Sequence, residues 1–334
     1  MDGRQGRGVT RAGAAAWAAE SHVPHRLHDA GRDWPETNCY VDVWIELLAA
    51  LDLPVEACLG FPLASEFEGD QWTFFKPPHA DLEALYGIRV EELTLWRPLA
   101  EQLRTQVERG RVPLVEVDAF HLPDTDGSAY RHAHEKTTIG VVAIDVAAQR
   151  LRYFHNRGLH ALGGDDFAAL LRVGAEPDAR WLPPYCEIAK LDGLVRRGDA
   201  ALREHALALA RRHYARRPRA NPVRAYEQAF AAHLPHVLGG PAAYHAYAFA
   251  SVRQLGAGAE LLASHLRWLG DGGDAAFAHA ADAFAELSAA AKTFLLKLAR
   301  IAHAGRARDV SASFAAMAGA WERGMHGLAE PLGP

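Results

Sequence analysis

The chain has 334 residues, 49% hydrophobic and 23% charged, with a formal net charge of -5. That is enough apolar material for two ordinary domains. The acidic balance argues against a general nucleic-acid binder, which carries a basic excess, and no apolar stretch reaches the roughly 20 residues that span a bilayer. The cysteines, Cys39, Cys58 and Cys186, are too few and too irregular for a disulfide framework. They form no CxxC pair, so no metal is expected, and they suit a reducing, cytoplasmic compartment.

Residues 1–33 hold arginines and an alanine run without an apolar core and cleavage site, and read as a disordered lead-in. Ordered structure is expected from Trp34-Pro35. Thr37 or Asn38 caps a helix from Cys39 to Leu51, with Val43, Leu47, Leu48 and Leu51 at helical spacing. Asp52-Leu53-Pro54 stops it, and a short helix with Cys58 follows. The polar loop Glu66 to Gln71 runs into Trp72 to Lys76, which has strand composition. Asp81 to Tyr86 and Pro98 to Glu108 read as helices. Leu114 to Asp118, Thr137 to Asp145 and Arg150 to His155 read as strands, with turns at Pro123 to Gly127 and Asn156 to Gly158. A helix followed by a mostly antiparallel sheet predicts an α+β domain over 34–190 rather than repeated βαβ units. From about Asp192 the chain is rich in alanine, leucine and arginine. Helices are expected at 194–213, 222–236, 241–268, 273–303 and 308–328, forming an all-α bundle over 191–334. No repeat of fixed period is present.

Cys39 is the leading candidate for chemistry. It opens a helix directly after polar caps, where free amide N–H groups and the helix dipole favour a thiolate. The alternative is a small buried hydrophobe. Cys58 and Cys186 lack this context and read as core or surface residues. A cysteine nucleophile needs a base, and the base needs an orienting group. His134 stands just before one strand, and His155 and Asn156 end the next, so a Cys39–His134–Asn156 arrangement is expected, with His132 or His155 as substitutes for His134. Gln71 is a candidate oxyanion donor, and Asp70 a candidate for orienting a substrate amine, although both also read as a solvated turn. Asp118, at a strand end, is placed to position the base or bind an amine. Lys136 would lower a nearby thiol pKa or contact a phosphate or carboxylate, if it is not simply a surface lysine.

Several segments together carry a family resemblance: Thr37-Asn38-Cys39-Tyr40-Val41-Asp42, Phe67 to Lys76, Val115 to Thr125, His134 to Gly140 and Tyr153-Phe154-His155-Asn156. The chain from about Pro35 onward resembles a bacterial family called domain of unknown function 1839. Genes of that family often lie beside carrier proteins and the ligases that load them, which implies thioester chemistry. The order of elements is also similar to the butirosin-type acyltransferases, whose papain-like N-terminal domain carries a cysteine at the start of its first helix and is followed by a helical domain. Val117-Asp118-Ala119-Phe120-His121-Leu122-Pro123 resembles their strand ending in Val-Asp, aromatic pair and Leu-Pro. One departure is that Thr137 or Thr138 stands where that group has its histidine.

The resemblance implies an acyl or aminoacyl transferase. The donor would be an acyl or aminoacyl carrier-protein thioester, with phosphopantetheine on the carrier and no cofactor on this chain. The acceptor would be a small-molecule amine or hydroxyl. Cys39 would carry the acyl group, His134 would be the base, and Asn156 would orient it, with the Cys39 amide and Gln71 at the oxyanion. A hydrolase of the same fold, and a non-catalytic carrier-protein-binding partner, are the alternatives.

Overall fold

The structure, a computed structural model, describes residues 22–175, 182–271 and 273–333. The chain forms two compact units that are not consecutive in sequence. One comprises the segment ending at Asp29 with Asn38–Pro54 and Leu82–Arg196; the other comprises Ala30–Thr37, Val55–Asp81 and the chain from Arg197 on.

The first unit is α+β. Its helix α1 (Cys39–Ala50) starts where the Asn38 side chain accepts a hydrogen bond from the Val41 amide at 3.0 Å, satisfying one of the free donors of the first turn. Every residue from Tyr40 to Leu48 is buried. Helix α2 (His79–Tyr86), which belongs to this unit from Leu82 on, strand β1 (Arg89–Glu92), helix α3 (Leu99–Glu108) and strands β2 (Val112–Asp118), β3 (Lys136–Asp145), β4 (Arg150–His155) and β5 (Gly158–Gly163) follow. Helix α4 (Asp165–Leu171) and strand β6 (Cys186–Lys190) complete the unit. The six strands form one sheet in the order β1-β6-β2-β3-β4-β5, and every neighbouring pair is antiparallel.

Helix α1 crosses one face of this sheet. The Tyr40 hydroxyl bonds Glu187 on β6. Val43 lies over β3, so close that a Cβ on Gly140 would stand 2.8 Å from its Cγ1. His22, bonded to Glu46 of α1, sets its ring edge-on to Phe154 of β4. Because strand side chains alternate, Gly140 fixes the facing of the whole sheet. Lys136 and Thr138 share the α1 face, with their register partners Asp118 and Glu116. Val117, Thr137, Ile139, Val141 and Tyr153 point the other way. There Val117, Ile139, Val141 and Tyr153 share a buried core with Leu99 and Leu103 of α3 and Phe167 and Leu171 of α4.

The central strands and helices α1 and α3 lie where the periodicity put them. β1, β5, β6 and α4 had no prediction, and Trp72 to Lys76 forms only a single bridge, Phe67 to Trp72, in place of a strand. The lead-in differs too. Residues 1–21 lie outside the described residues, but from His22 on the chain is built into the fold. Leu27 and His28 are buried within a 3-10 turn, Arg26–His28.

The second unit is helical: α5 (Asp199–Ala215), α6 (Pro222–Val237), α7 (Pro241–Ala250), α8 (Val252–Leu269), α9 (Ala275–Ala304) and α10 (Ser311–Gly327). Ser251, at φ -120 and ψ -75, divides the expected 241–268 helix in two. An aromatic core of Tyr226, Phe230, Phe294 and Phe314 joins α6, α9 and α10. Earlier segments complete this unit. The Glu56 carbonyl is bonded to His265 Nδ1 at 2.7 Å. Asp81 is bonded to Arg212 and, at 2.6 Å, to His213. The Trp34 indole donates to Ser288 at 3.1 Å.

Candidate active site

A groove of about 470 Å³ opens at the end of the β2–β3 pair. Its apolar lining includes Leu99, Val117, Leu170 and Pro184, and its polar lining includes Glu116, Asp118, His121, His134 and Lys136. Apolar walls with a few converging polar groups are the usual make-up of a small-molecule site.

Two ion pairs organise the polar side. His134 Nδ1 lies 2.6 Å from Asp118 Oδ2, and its ring stacks on Phe120 with centroids 4.4 Å apart. Burial alone would raise the Asp118 carboxyl, but the His134 hydrogen bond and the Phe120 amide hold it below the usual carboxylate range. Lys136 bonds Glu116 at 2.6 Å. Desolvation lowers the His121 imidazole, whose Nδ1 is buried and unbonded. The carboxylate fixes the His134 tautomer and leaves its Nε2 to accept or deliver a proton, the arrangement that general acid–base chemistry needs. The pair is exposed, His134 73% and Asp118 37%, so its value to folding is small.

Cys39 is half-buried and free at the first position of α1. Among the described residues its thiol makes no hydrogen bond. Of Thr137 and Thr138, it is Thr138 that faces α1, and continuing the β3–β4 register past Gly140–Phe154 places Thr138 opposite Asn156. Asn156 sits in the turn after β4 with φ 45, a left-handed conformation that asparagine tolerates better than most residues. Asp118, rather than Asn156, is the residue bonded to His134.

His155 belongs to the other face. Its Nδ1 lies 2.5 Å from Asp124 Oδ2 and its Nε2 lies 2.7 Å from Thr137 Oγ1. The Tyr153 hydroxyl also bonds Asp124. Burial would raise the Asp124 carboxyl, but the His155 and Tyr153 contacts hold it down. Asp70 and Gln71 lie in the second unit, at an exposed tip where the Glu68 amide donates to the Gln71 carbonyl at 2.7 Å and Gly69 takes φ 91. Among the described residues, no cluster of three or more His, Cys, Asp or Glu is arranged to hold a metal ion, and no helix is long and apolar enough to cross a membrane.

Sequence reasoning missed Glu116, Asp124 and Thr137. Asp124 reads as a turn residue in Pro123-Asp124-Thr125-Asp126-Gly127, and only the fold brings it to His155. It also missed the buried cluster along α1, where Glu46 takes hydrogen bonds from His22 at 2.5 Å, the His25 amide at 2.9 Å and His28, while His28 reaches Asp42 at 3.3 Å.

The family description for the DUF1839 N-terminal domain matches residues 23–191, and that for the DUF1839 C-terminal domain matches residues 199–330. The chain belongs to the DUF1839 family. No curated protein matches it. The first DUF1839 match covers the sheet and its groove, and the second covers the helices from α5 through α10.

Proposed function

We propose that this DUF1839 protein is a papain-like, cysteine-dependent acyl or aminoacyl transferase. It would take its acyl group from a carrier-protein thioester, in a reducing cytoplasmic setting that suits its three free cysteines. The observation that carries the reading is the His134–Asp118 pair beside the sheet face that α1 crosses, with Cys39 in the capped first turn of α1. In the proposed step the Cys39 thiolate attacks the thioester carbonyl, its proton having passed to His134. The carrier thiol leaves and takes a proton from His134. An amine or hydroxyl then attacks the Cys39 thioester, giving its proton to His134 and restoring the thiolate. Asp118 replaces Asn156 as the group that orients the base. Lys136 would favour a substrate carboxylate or phosphate.

The test is product analysis with an aminoacyl N-acetylcysteamine thioester, with and without an added amine. Amide formed only in the presence of the amine, and lost in C39A, supports a transferase; free acid in both arms means a hydrolase. Replacing His134 by Asn should cost about 10²–10⁴ in rate, the range of a general base. A second reading is a non-catalytic carrier-protein partner. It is favoured by Thr138 at the α1-facing strand position and by Cys39 having no imidazole partner among the described residues. It predicts no turnover and carrier-protein binding that survives C39A.

A further inference from the structure

Asp124, His155 and Thr137 form a carboxylate–imidazole–hydroxyl chain on the sheet face opposite α1. Asp124 Oδ2 to His155 Nδ1 is 2.5 Å, and His155 Nε2 to Thr137 Oγ1 is 2.7 Å. The links stand in the order that activates a hydroxyl. An ionised Asp124, held also by Tyr153, accepts the Nδ1 proton and leaves Nε2 to accept from the threonine. Exposure is 7% for Thr137 and 2% for His155, so both groups are buried and only the threonine keeps a small contact with solvent. The second observation is position. Thr137 is the direct register partner of Val117, and the two side chains share a face, which puts them about 5 Å apart. Val117 lines the 470 Å³ groove, together with Leu99 and Leu170. The Thr137 side chain therefore stands next to Val117, one side chain in from the apolar wall of the groove, with its hydroxyl turned to His155 on β4.

We propose that Thr137 is a second nucleophile, independent of Cys39, that takes acyl groups with a short aliphatic chain from esters or thioesters bound against Leu99, Val117 and Leu170. Thr137 Oγ bonds to the acyl carbon as its proton passes to His155 Nε2. The carbon–oxygen or carbon–sulfur bond to the leaving group breaks, and His155 returns the proton to that group. Water then attacks the threonine ester with His155 as base, releasing the acid and restoring the hydroxyl.

The experiment uses the full chain in a C39A background, so that thiol acylation cannot contribute. The probes are p-nitrophenyl butyrate for turnover and an alkyl fluorophosphonate for labelling, with the adduct located by peptide mass mapping. The expected result is a label at Thr137, retained in T137S, absent in T137V, and slowed by about 10²–10⁴ in H155Q, the contribution of a general base. Thermal unfolding of each variant shows whether it is folded. The T137S arm reads the chemistry even where T137V does not fold. No label at position 137 in either the parent or folded T137S would overturn the proposal and leave the chain as a strut between β4 and β3. A label formed equally fast in folded H155Q would overturn it as well.

Discussion

The His28–Glu46 contact gives a pH dependence with a definite sign. Both side chains are fully buried. Burial by itself pushes the His28 imidazole down, but hydrogen bonds and charge from Asp42 and Glu46 more than reverse this and raise it from 6.5 to about 9. A histidine whose pKa is higher folded than unfolded stabilises the fold fully below pH 6.5 and loses that contribution as pH rises through about 9. A shift of that size is worth about 3 kcal/mol, with a steepest slope of about 1.4 kcal/mol per pH unit. The Glu46 carboxyl moves oppositely. Burial would raise it, but the bonds from His22, His28 and the His25 amide hold it low, so its contribution is lost toward acid pH. The assay is urea unfolding from pH 6.5 to 9.5, paired with NMR titration of the His28 ring, for the parent and for E46Q. The parent should lose about 3 kcal/mol across that range. E46Q, which keeps only the Asp42 charge, should show a lower His28 pKa and a shallower loss. A His28 that titrates at or below 6.5, or a stability that is flat or rising from pH 6.5 to 9, would refute the reasoning.

Three further outcomes follow from packing and burial. Gly140→Ala drives a methyl to within 2.8 Å of Val43 and should cost about 1–3 kcal/mol by overpacking, read as a lowered Tm. Phe294→Ala empties the fully buried centre of the helical unit's aromatic core and should cost about 3–5 kcal/mol, measured by chemical unfolding. In the folded protein at pH 8, iodoacetamide should modify half-buried Cys39 and spare Cys58 and Cys186. The latter two are 3% and 1% exposed, and burial pushes the Cys186 thiol up to about 12. Labelling of all three at similar rates would contradict the burial of Cys58 and Cys186.

The legible part of the fold was the part carried by local pattern. α1 follows from Asn38 and the spacing of Val43, Leu47 and Leu48, and β3 from its β-branched run. The missed strands lack that signal. β1 is Arg-Val-Glu-Glu on a sheet edge. β6 carries Glu187, whose burial is made tolerable by the hydroxyls of Tyr40 and Tyr185. Those partners are 147 and 2 residues away, and only the short separation is visible from sequence. Ser251 shows the same limit. Nothing in Ala-Phe-Ala-Ser-Val-Arg announces a helix break, which tertiary packing decides. At the site, Asp118, His134 and Lys136 were recognised as chemical groups and stand on one groove. The pairing of His134 with Asp118, and of His155 with Asp124, depends on strand facing. A one-residue change of register reverses that facing, and sequence spacing does not record it. The stripe His22, His28, Asp42 and Glu46 was hidden because its histidines were read as part of a disordered lead-in.

The central question is whether Cys39 carries an acyl group. The direct measurement is mass mapping of the protein quenched in acid after brief exposure to an acyl-loaded carrier protein, in the parent, C39A and D118N. The expected result is a hydroxylamine-sensitive adduct on the peptide holding Cys39, absent in C39A and slower to form in D118N. No adduct on that peptide, with the carrier protein still bound, would contradict it and leave a binding partner in place of a transferase.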